Sequence, residues 1–204
     1  MKRVFAAGLI TAAAVAALSS SAISAAPGII TYNAEGRVEI PANYREWVFL
    51  TSSMDLNYDA PVPGAPANVQ HMLDNVFVNP AAYKAFLATG TWPDGTVMIK
   101  ENRRAAEAGS ISTTGKYQTD VVSMEFHVKD EKKFPGGWVF FASKGKNPGR
   151  EMPMDADCYS CHQTHGAVDT TFVQFYPTVL EIAKAKGTLS ADYVKTEAAA
   201  AKGK

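Results

Sequence analysis

The chain has 204 residues with 20 basic and 20 acidic side chains, so its formal net charge at pH 7 is zero. This balance argues against nucleic acid or an anionic membrane surface as the partner, because both attract clustered positive charge. The length and the 47% hydrophobic content allow one domain with a proper core, and the sequence contains no evident internal repeat.

The N-terminus has the pattern of a secretory signal peptide. Lys2 and Arg3 precede an apolar run over residues 4–18, and small residues that permit cleavage follow. The run is shorter than the roughly 18 residues that a membrane span needs, so we expect no span in the mature form. The sequence therefore predicts a signal peptide over residues 1–25 and one domain over residues 26–204, with a flexible tail from about residue 190. The leader removes two basic residues, which leaves a mature net charge of about −2.

The first half of the domain predicts short strands and one helix. Strand-like residues occur at 47–50 and 76–78, and a proline-rich loop over residues 55–68 separates them. Asn79 as N-cap and Pro80 at the first helical position open a helix, which Gly90 ends.

The second half predicts three longer strands followed by helices. The strands cover residues 95–103, 120–129 and 138–143, and glycines break one from the next. Sequential strands with short links are typical of an antiparallel meander. Helical sequence follows Met154, and Pro177 should kink or split its last long element, residues 169–186. The predicted fold class is α+β, an antiparallel meander with packed helices.

The most specific motif is Cys158-Tyr159-Ser160-Cys161-His162. C-x-x-C-H is the attachment signature of a c-type haem: two thiols form thioethers with one porphyrin, and the adjacent histidine ligates the iron. Cys158 and Cys161 are the only cysteines in the chain, so no thiol remains for a disulfide framework or a four-ligand zinc site. A thioredoxin-like redox pair would not need His162. We therefore predict one covalent haem c per chain.

The signal peptide and the haem motif support each other. Haem is attached to apo-cytochromes c after export, so we expect the mature protein in a bacterial periplasm. The motif lies near the C-terminus, behind strand-rich sequence. Small electron-carrier cytochromes c carry the motif near the N-terminus, and cytochromes c′ are four-helix bundles, so neither class fits.

The sequence resembles the cytochrome P-460 family, which includes hydroxylamine-oxidising cytochromes P-460 and gas-binding cytochromes c′-beta. Besides the haem motif, the resemblance rests on segments in the family's order, namely residues 44–48, 76–80, 94–97, 128–130, 137–140 and 175–177. It implies a compact antiparallel sheet with packed helices, commonly a homodimer, and one five-coordinate c-type haem with an open distal side.

The same resemblance singles out two further residues. In hydroxylamine-oxidising members a lysine forms an additional crosslink to the porphyrin, and the matching position here is Lys100. A glutamate that moves protons over the haem matches Glu125. From the residues alone, Lys100 also fits a solvated charge run with Glu101 and Arg103, and Glu125 also fits the water-facing side of a half-buried strand.

The expected function is the oxidation of hydroxylamine or nitric oxide, with Glu125 as the general base and an acceptor cytochrome removing electrons. One alternative is a nitric-oxide binding or sensing protein of the cytochrome c′-beta kind, and another is an electron-transfer cytochrome.

Weaker candidates complete the predicted site. His165 is expected to neighbour solvent or a propionate, while His71 and His127 could reach the distal side. A methionine could be a sixth ligand in an electron carrier, although methionine is more often core filler; the candidates are Met54, Met72, Met98, Met124, Met152 and Met154. The expected apolar pocket walls are Phe77, Met98, Phe126, Trp138 and Phe140.

Overall fold

The computed structural model describes residues 29–56 and 71–202. Its centre is a six-stranded antiparallel sheet in which each strand pairs with its neighbours in sequence. The strands are β1 (Val48–Met54), β2 (Met72–Val78), β3 (Val97–Gly109), β4 (Ser112–Lys129), β5 (Trp138–Lys144) and β6 (Arg150–Glu151). This meander, with the helices below, confirms the predicted α+β class.

Helices lie after β2 and after β6. They are α1 (Pro80–Thr89), α2 (Asp157–His165), α3 (Pro177–Lys186) and α4 (Ala191–Lys202), with short 3-10 turns at Tyr44–Glu46 and Val173–Phe175. Within the described part of the chain, no helix is long and apolar enough to cross a membrane. The predicted signal peptide lies outside the described residues, and so does most of the predicted loop over residues 55–68.

The two central strands are longer than the sequence predicts. Strand β3 continues to Gly109 instead of ending near Arg103, and β4 begins at Ser112 instead of Asp120. Gly115 is one of the glycines that we expected to separate the two strands, but it lies inside β4 with a φ of 90°. Register shifts in the β3–β4 pair absorb such irregularities, so the two strands remain paired along a long hairpin.

Each face of the sheet has its own core. Ile99, Met124 and Phe126 pack on one face with residues of the N-terminal segment such as Tyr44 and Trp47. The helices cover the other face, and that core consists mainly of Leu50, Val76, Val78, Ala82, Phe86, Trp92, Met98, Trp138, Val173, Val179 and Ala183. Strand residues contribute alternately to the two cores because successive side chains point to opposite faces.

The local signals at the helix ends hold with one exception. Asn79 occupies the N-cap position of α1, but its side chain makes no cap hydrogen bond. Its Oδ1 instead accepts a hydrogen bond from the backbone N–H of Val97 at 2.8 Å, which ties the helix start to β3. Gly90 ends the helix in the left-handed region with a φ of 79°, as the sequence predicts.

Pro177 separates the C-terminal helical elements as predicted. It is the first residue of α3, a position where the missing N–H costs nothing. The 3-10 turn Val173–Phe175 precedes it, so the predicted element over residues 169–186 is divided in two. Where a flexible tail is predicted, the chain forms α4 up to Lys202.

A buried carboxylate anchors β3 from the face opposite α1. The Glu101 side chain is fully buried and accepts hydrogen bonds from the hydroxyl of Tyr44, from Arg45 at 2.6 Å and from Arg103 at 3.0 Å. Burial alone would raise the pKa of Glu101, but the donors and the two positive charges outweigh it and leave the pKa lowered. Because Glu101 follows Lys100 directly, this network holds β3 where the Lys100 side chain faces the helical side.

Candidate functional site

A cavity of about 360 Å³ lies between the sheet and the C-terminal helices, within the size range of small-molecule and cofactor sites. The strands contribute Lys100 and Glu125 to its wall, and the helical side contributes Cys158, Cys161 and His162. All five predicted site residues therefore meet in one cavity. A larger cleft of about 620 Å³, lined by polar residues such as Arg37, Lys144 and Arg150, contains none of them.

Three rows of paired side chains cross the sheet on the cavity side. Paired residues on neighbouring strands share a face, and so do residues two positions apart along a strand. The rows are given in order of increasing polarity, so that the second is the middle row. They are Val78–Met98–His127–Phe140, Val76–Lys100–Glu125–Ala142 and Ser53–Asp74–Asn102–Ser123. The His127 and Phe140 rings contact the His162 ring, so polarity increases with distance from that histidine.

Helix α2 carries the cysteine–histidine motif. Cys158, Cys161 and His162 are spaced three and four residues apart, which places them on one side of the helix. Both cysteines are free and half-buried. Ala156 is the N-cap of this helix, and Asp157 is its first residue, where the negative charge interacts favourably with the helix dipole.

The hydrogen bonding of His162 leaves one ring nitrogen available. Its Nδ1 lies 2.7 Å from the carbonyl oxygen of Thr170, so Nδ1 carries the proton and donates. The Nε2 atom therefore keeps its lone pair, as a metal-ligating histidine requires. Burial lowers the pKa of His162, which favours the neutral ring, and the ring stacks on Phe172 with centroids 4.1 Å apart.

A second histidine, His127, contacts both His162 and the residue that accepts its hydrogen bond. The His127 Nε2 lies 3.2 Å from the hydroxyl of Thr170, the residue whose carbonyl accepts from His162. The His127 ring stacks on Phe140 at 4.1 Å. Burial, and secondarily the charge of His162, hold the pKa of His127 well below its usual value, so the ring stays neutral. His127 thus supports the motif histidine, and the hypothesis that it serves the distal side is not favoured by this geometry.

Lys100 and Glu125 form a pair on the opposite wall. The Lys100 Nζ lies 3.3 Å from one oxygen of Glu125, and the side-chain amide of Asn102 donates to the other oxygen at 2.7 Å. The Glu125 side chain is 47% exposed and that of Lys100 is 32% exposed, so both reach solvent as well as the cavity. The sequence left two interpretations open, a solvated face and a cavity wall. Both apply, because the two side chains line the cavity and are also partly exposed to solvent.

The donor set fits a covalently attached haem. Two free thiols and an imidazole with an available nitrogen face one cavity, whose walls include Val76, Met98 and Phe172. Helix α2 itself has no buried residue, although it lies against the sheet. A flat apolar group in the cavity would supply the packing that the helix lacks.

The comparison with known families decides the assignment. The sequence profile of the cytochrome P460 family matches residues 41–173, which is more than half of the chain. This chain belongs to the cytochrome P460 family. Membership implies a haem protein, in agreement with the donor set, and it confirms the resemblance seen in the sequence. No curated protein matches the chain.

The weaker site predictions have mixed outcomes in the structure. His71 pairs with Asp55 at 2.5 Å, and His165 is exposed at the end of α2. Of the six candidate methionines, only Met98 belongs to the cavity lining described by the structure. Phe140 also lines the cavity. Phe126 contributes to the lining but packs, like Phe77, in the opposite core, and Trp138 packs in the helix-covered core.

Sequence reasoning missed the polar row beyond Lys100 and Glu125. Asp74 is only 9% exposed, lines the cavity and lies opposite Asn102, which bonds Glu125. Alternation along β2 would have placed Asp74 on the same face as Val76 and Val78. The strand pairing that brings Asp74 to the glutamate, however, cannot be derived from local sequence.

Proposed function

We propose that this member of the cytochrome P460 family is a periplasmic mono-haem enzyme that oxidises hydroxylamine or nitric oxide. The observation that carries the proposal is the Lys100–Glu125 pair, which faces the two cysteines and His162 across one cavity. An electron-carrier cytochrome needs no carboxylate and no lysine in its haem cavity. An acceptor cytochrome would receive the electrons, and we expect a homodimer by family analogy.

Each residue has a defined role in this proposal. Cys158 and Cys161 would hold the haem through thioethers, and His162 would ligate the iron through Nε2. The bound haem would supply an open site for the substrate nitrogen and one-electron redox chemistry. Lys100 would add a further covalent link to the porphyrin and thereby tune it.

Glu125 would be the general base of the reaction. Oxidation of hydroxylamine to nitric oxide releases protons and electrons in equal number, so the cavity needs a proton acceptor. The Asn102 amide and the Lys100 amine hold both Glu125 oxygens toward the cavity face of the sheet. The 47% exposure of Glu125 also lets solvent remove each proton that the carboxylate accepts.

Tryptic mass spectrometry of the holoprotein tests the crosslink. Trypsin cannot cut after a modified lysine, so the peptide 85–103 should remain intact and stay attached through the haem to the peptide 151–184, which contains both cysteines. Lys100→Leu should release that link and shift the absorption spectrum toward that of ordinary c-type haem. Lys144→Leu, at the exposed end of β5, is the matched control and should change neither result.

Steady-state kinetics test the base. Glu125→Gln should keep the haem spectrum but slow hydroxylamine oxidation by about 10²–10⁴-fold, the usual effect of losing a general base. Glu107→Gln removes an exposed carboxylate of β3 outside the cavity and should have no such effect. If the peptide 85–100 is released free and the wild-type protein does not oxidise hydroxylamine, the enzyme proposal fails and nitric-oxide binding becomes the leading function.

A further inference from the structure

The polar row beside Glu125 contains a second carboxylate with few hydrogen-bond donors. Asp74 is 9% exposed, and its one hydrogen bond described here comes from the Ser53 hydroxyl at a long 3.4 Å. Glu125, by comparison, receives two donors and is half exposed. An ionised carboxylate that is buried with so little compensation is unfavourable.

Next to Asp74 lies an acceptor without a donor. Both bonds of the Asn102 amide nitrogen are directed along β4, to Ser123 at 2.8 Å and to Glu125 at 2.7 Å. Its Oδ1 is buried and has no hydrogen-bond partner among the described residues. Exchanging the amide nitrogen and oxygen would set Oδ1 against the Glu125 carboxylate, so the donor to Glu125 determines this orientation.

Asp74 can satisfy Asn102 in only one protonation state. The two residues are directly opposite in the β2–β3 register, and their side chains share the cavity face. An ionised Asp74 offers only acceptors, as does Asn102 Oδ1, and two facing acceptors repel each other. A protonated Asp74 provides the missing O–H donor.

Burial favours the same state, and the surrounding charges do not reverse it. Burial raises the pKa of Asp74, and the charges of Glu125 on β4 and Asp55 after β1 raise it further. Lys100 on β3 and the Ser53 hydroxyl oppose this shift but do not cancel it.

We propose that Asp74 is a neutral carboxylic acid whose hydroxyl donates to Asn102 Oδ1, and that it thereby makes the cavity selective for uncharged ligands. With Asp74 neutral, the three rows carry no charge beyond the Lys100–Glu125 pair. A partly apolar cavity of this kind disfavours anions, which lose their hydration on entry. Uncharged nitrogen compounds such as hydroxylamine and nitric oxide fit this environment. The inference rests on the proposed function only in taking the cavity to be the ligand side of the haem.

Infrared difference spectroscopy tests the protonation state without turnover, so its result is independent of whether hydroxylamine is a substrate. The wild-type ferric holoprotein at pH 7 should show the carbonyl band of a protonated carboxylic acid, which shifts in D₂O and is lost in Asp74→Asn. Asp55→Asn removes a nearby, more exposed carboxylate and should leave the band in place. Asn102→Leu should move the band to higher frequency because the hydrogen bond is lost. A wild-type spectrum without this band would overturn the proposal.

Azide binding to the ferric haem tests the absence of charge on Asp74, on which the selectivity depends. Asp74→Asn keeps the shape and the neutrality of the acid, so wild type and variant should bind azide with the same affinity at pH 7. If Asp74 were ionised, the variant would bind azide about tenfold more tightly, because one like charge would be removed from the cavity. That result would refute the proposal. If the variant does not take up haem, the wild-type infrared band alone decides, since it must be present at pH 7 and disappear as the pH is raised.

Discussion

At the scale of single residues, the structure assigns different tasks to the two neighbours Lys100 and Glu101. Lys100 faces the cavity, whereas Glu101 is fully buried on the opposite side with three strong donors. A buried charge of this kind depends on its partners, because removing one member of the set leaves the others uncompensated.

The Glu101 network should be required for stability at neutral pH. Glu101→Gln should lower the free energy of unfolding by about 3 kcal/mol at pH 7, measured by urea denaturation of the holoprotein. The pKa of Glu101 is lowered in the fold, so its contribution is present above the unfolded value of 4.5 and is lost as the pH falls through the folded value. The difference between wild type and variant should therefore shrink below pH 4.5.

Glu107→Gln provides the control for that experiment. Glu107 lies on the same strand and pairs with Lys116, but it is exposed. Its replacement should change stability little, as is usual for surface ion pairs. Equal losses in the two variants would show that the buried network has no special role.

At the scale of the elements, two glycine caps hold the helical layer. Gly90 ends α1 and Gly187 ends α3, both in the left-handed region, with φ of 79° and 68°. Their surroundings differ. A Cβ on Gly90 would lie 2.7 Å from the Lys186 Cβ and 2.8 Å from the Thr188 hydroxyl, whereas a Cβ on Gly187 would meet nothing within 4 Å.

These two caps form a matched pair of substitutions. Gly187→Ala should cost about 1 kcal/mol, the conformational penalty of alanine in the left-handed region. Gly90→Ala pays the same penalty and must also push apart the ends of α1 and α3, so we expect a loss of about 2–4 kcal/mol in urea denaturation. Equal losses in the free energy of unfolding would mean that the ends of α1 and α3 can move apart without strain.

At the scale of the whole molecule, the cavity lies between the sheet and the C-terminal helices, and the protein's stability should depend on what fills it. None of the nine residues of α2 is buried. The haem would bring the helix and the sheet into one packed unit, and contacts that it makes only in the native state would stabilise that state.

Removal of the two proposed attachment sites should therefore loosen one region selectively. A Cys158→Ala/Cys161→Ala double variant should lose covalent haem and about 3 kcal/mol of stability, roughly 6–12 °C in Tm for a chain of this size. Hydrogen exchange should speed up in α2, while the β3–β4 pair stays protected. His165→Ala, which changes an exposed residue of the same helix, is the control. Unchanged exchange in α2 would contradict the role assigned to the haem.

The sequence by itself determined the order of elements and predicted the chemistry of the motif. C-x-x-C-H needs only residues that are near one another in the chain, so Cys158, Cys161 and His162 could be read directly. Alternation and glycine or proline signals likewise predicted the meander, the start of α1 and the division at Pro177, because these depend on local backbone preferences.

Only the tertiary structure decided which distant residues share the cavity. Strand register places Lys100 beside Glu125 and Asp74 beside Asn102. It also places His127 against the ring of His162. A shift of register by one residue would turn all of these side chains to the other face. Register depends on the packing of the whole sheet between its two cores, and no local pattern in the sequence encodes that packing.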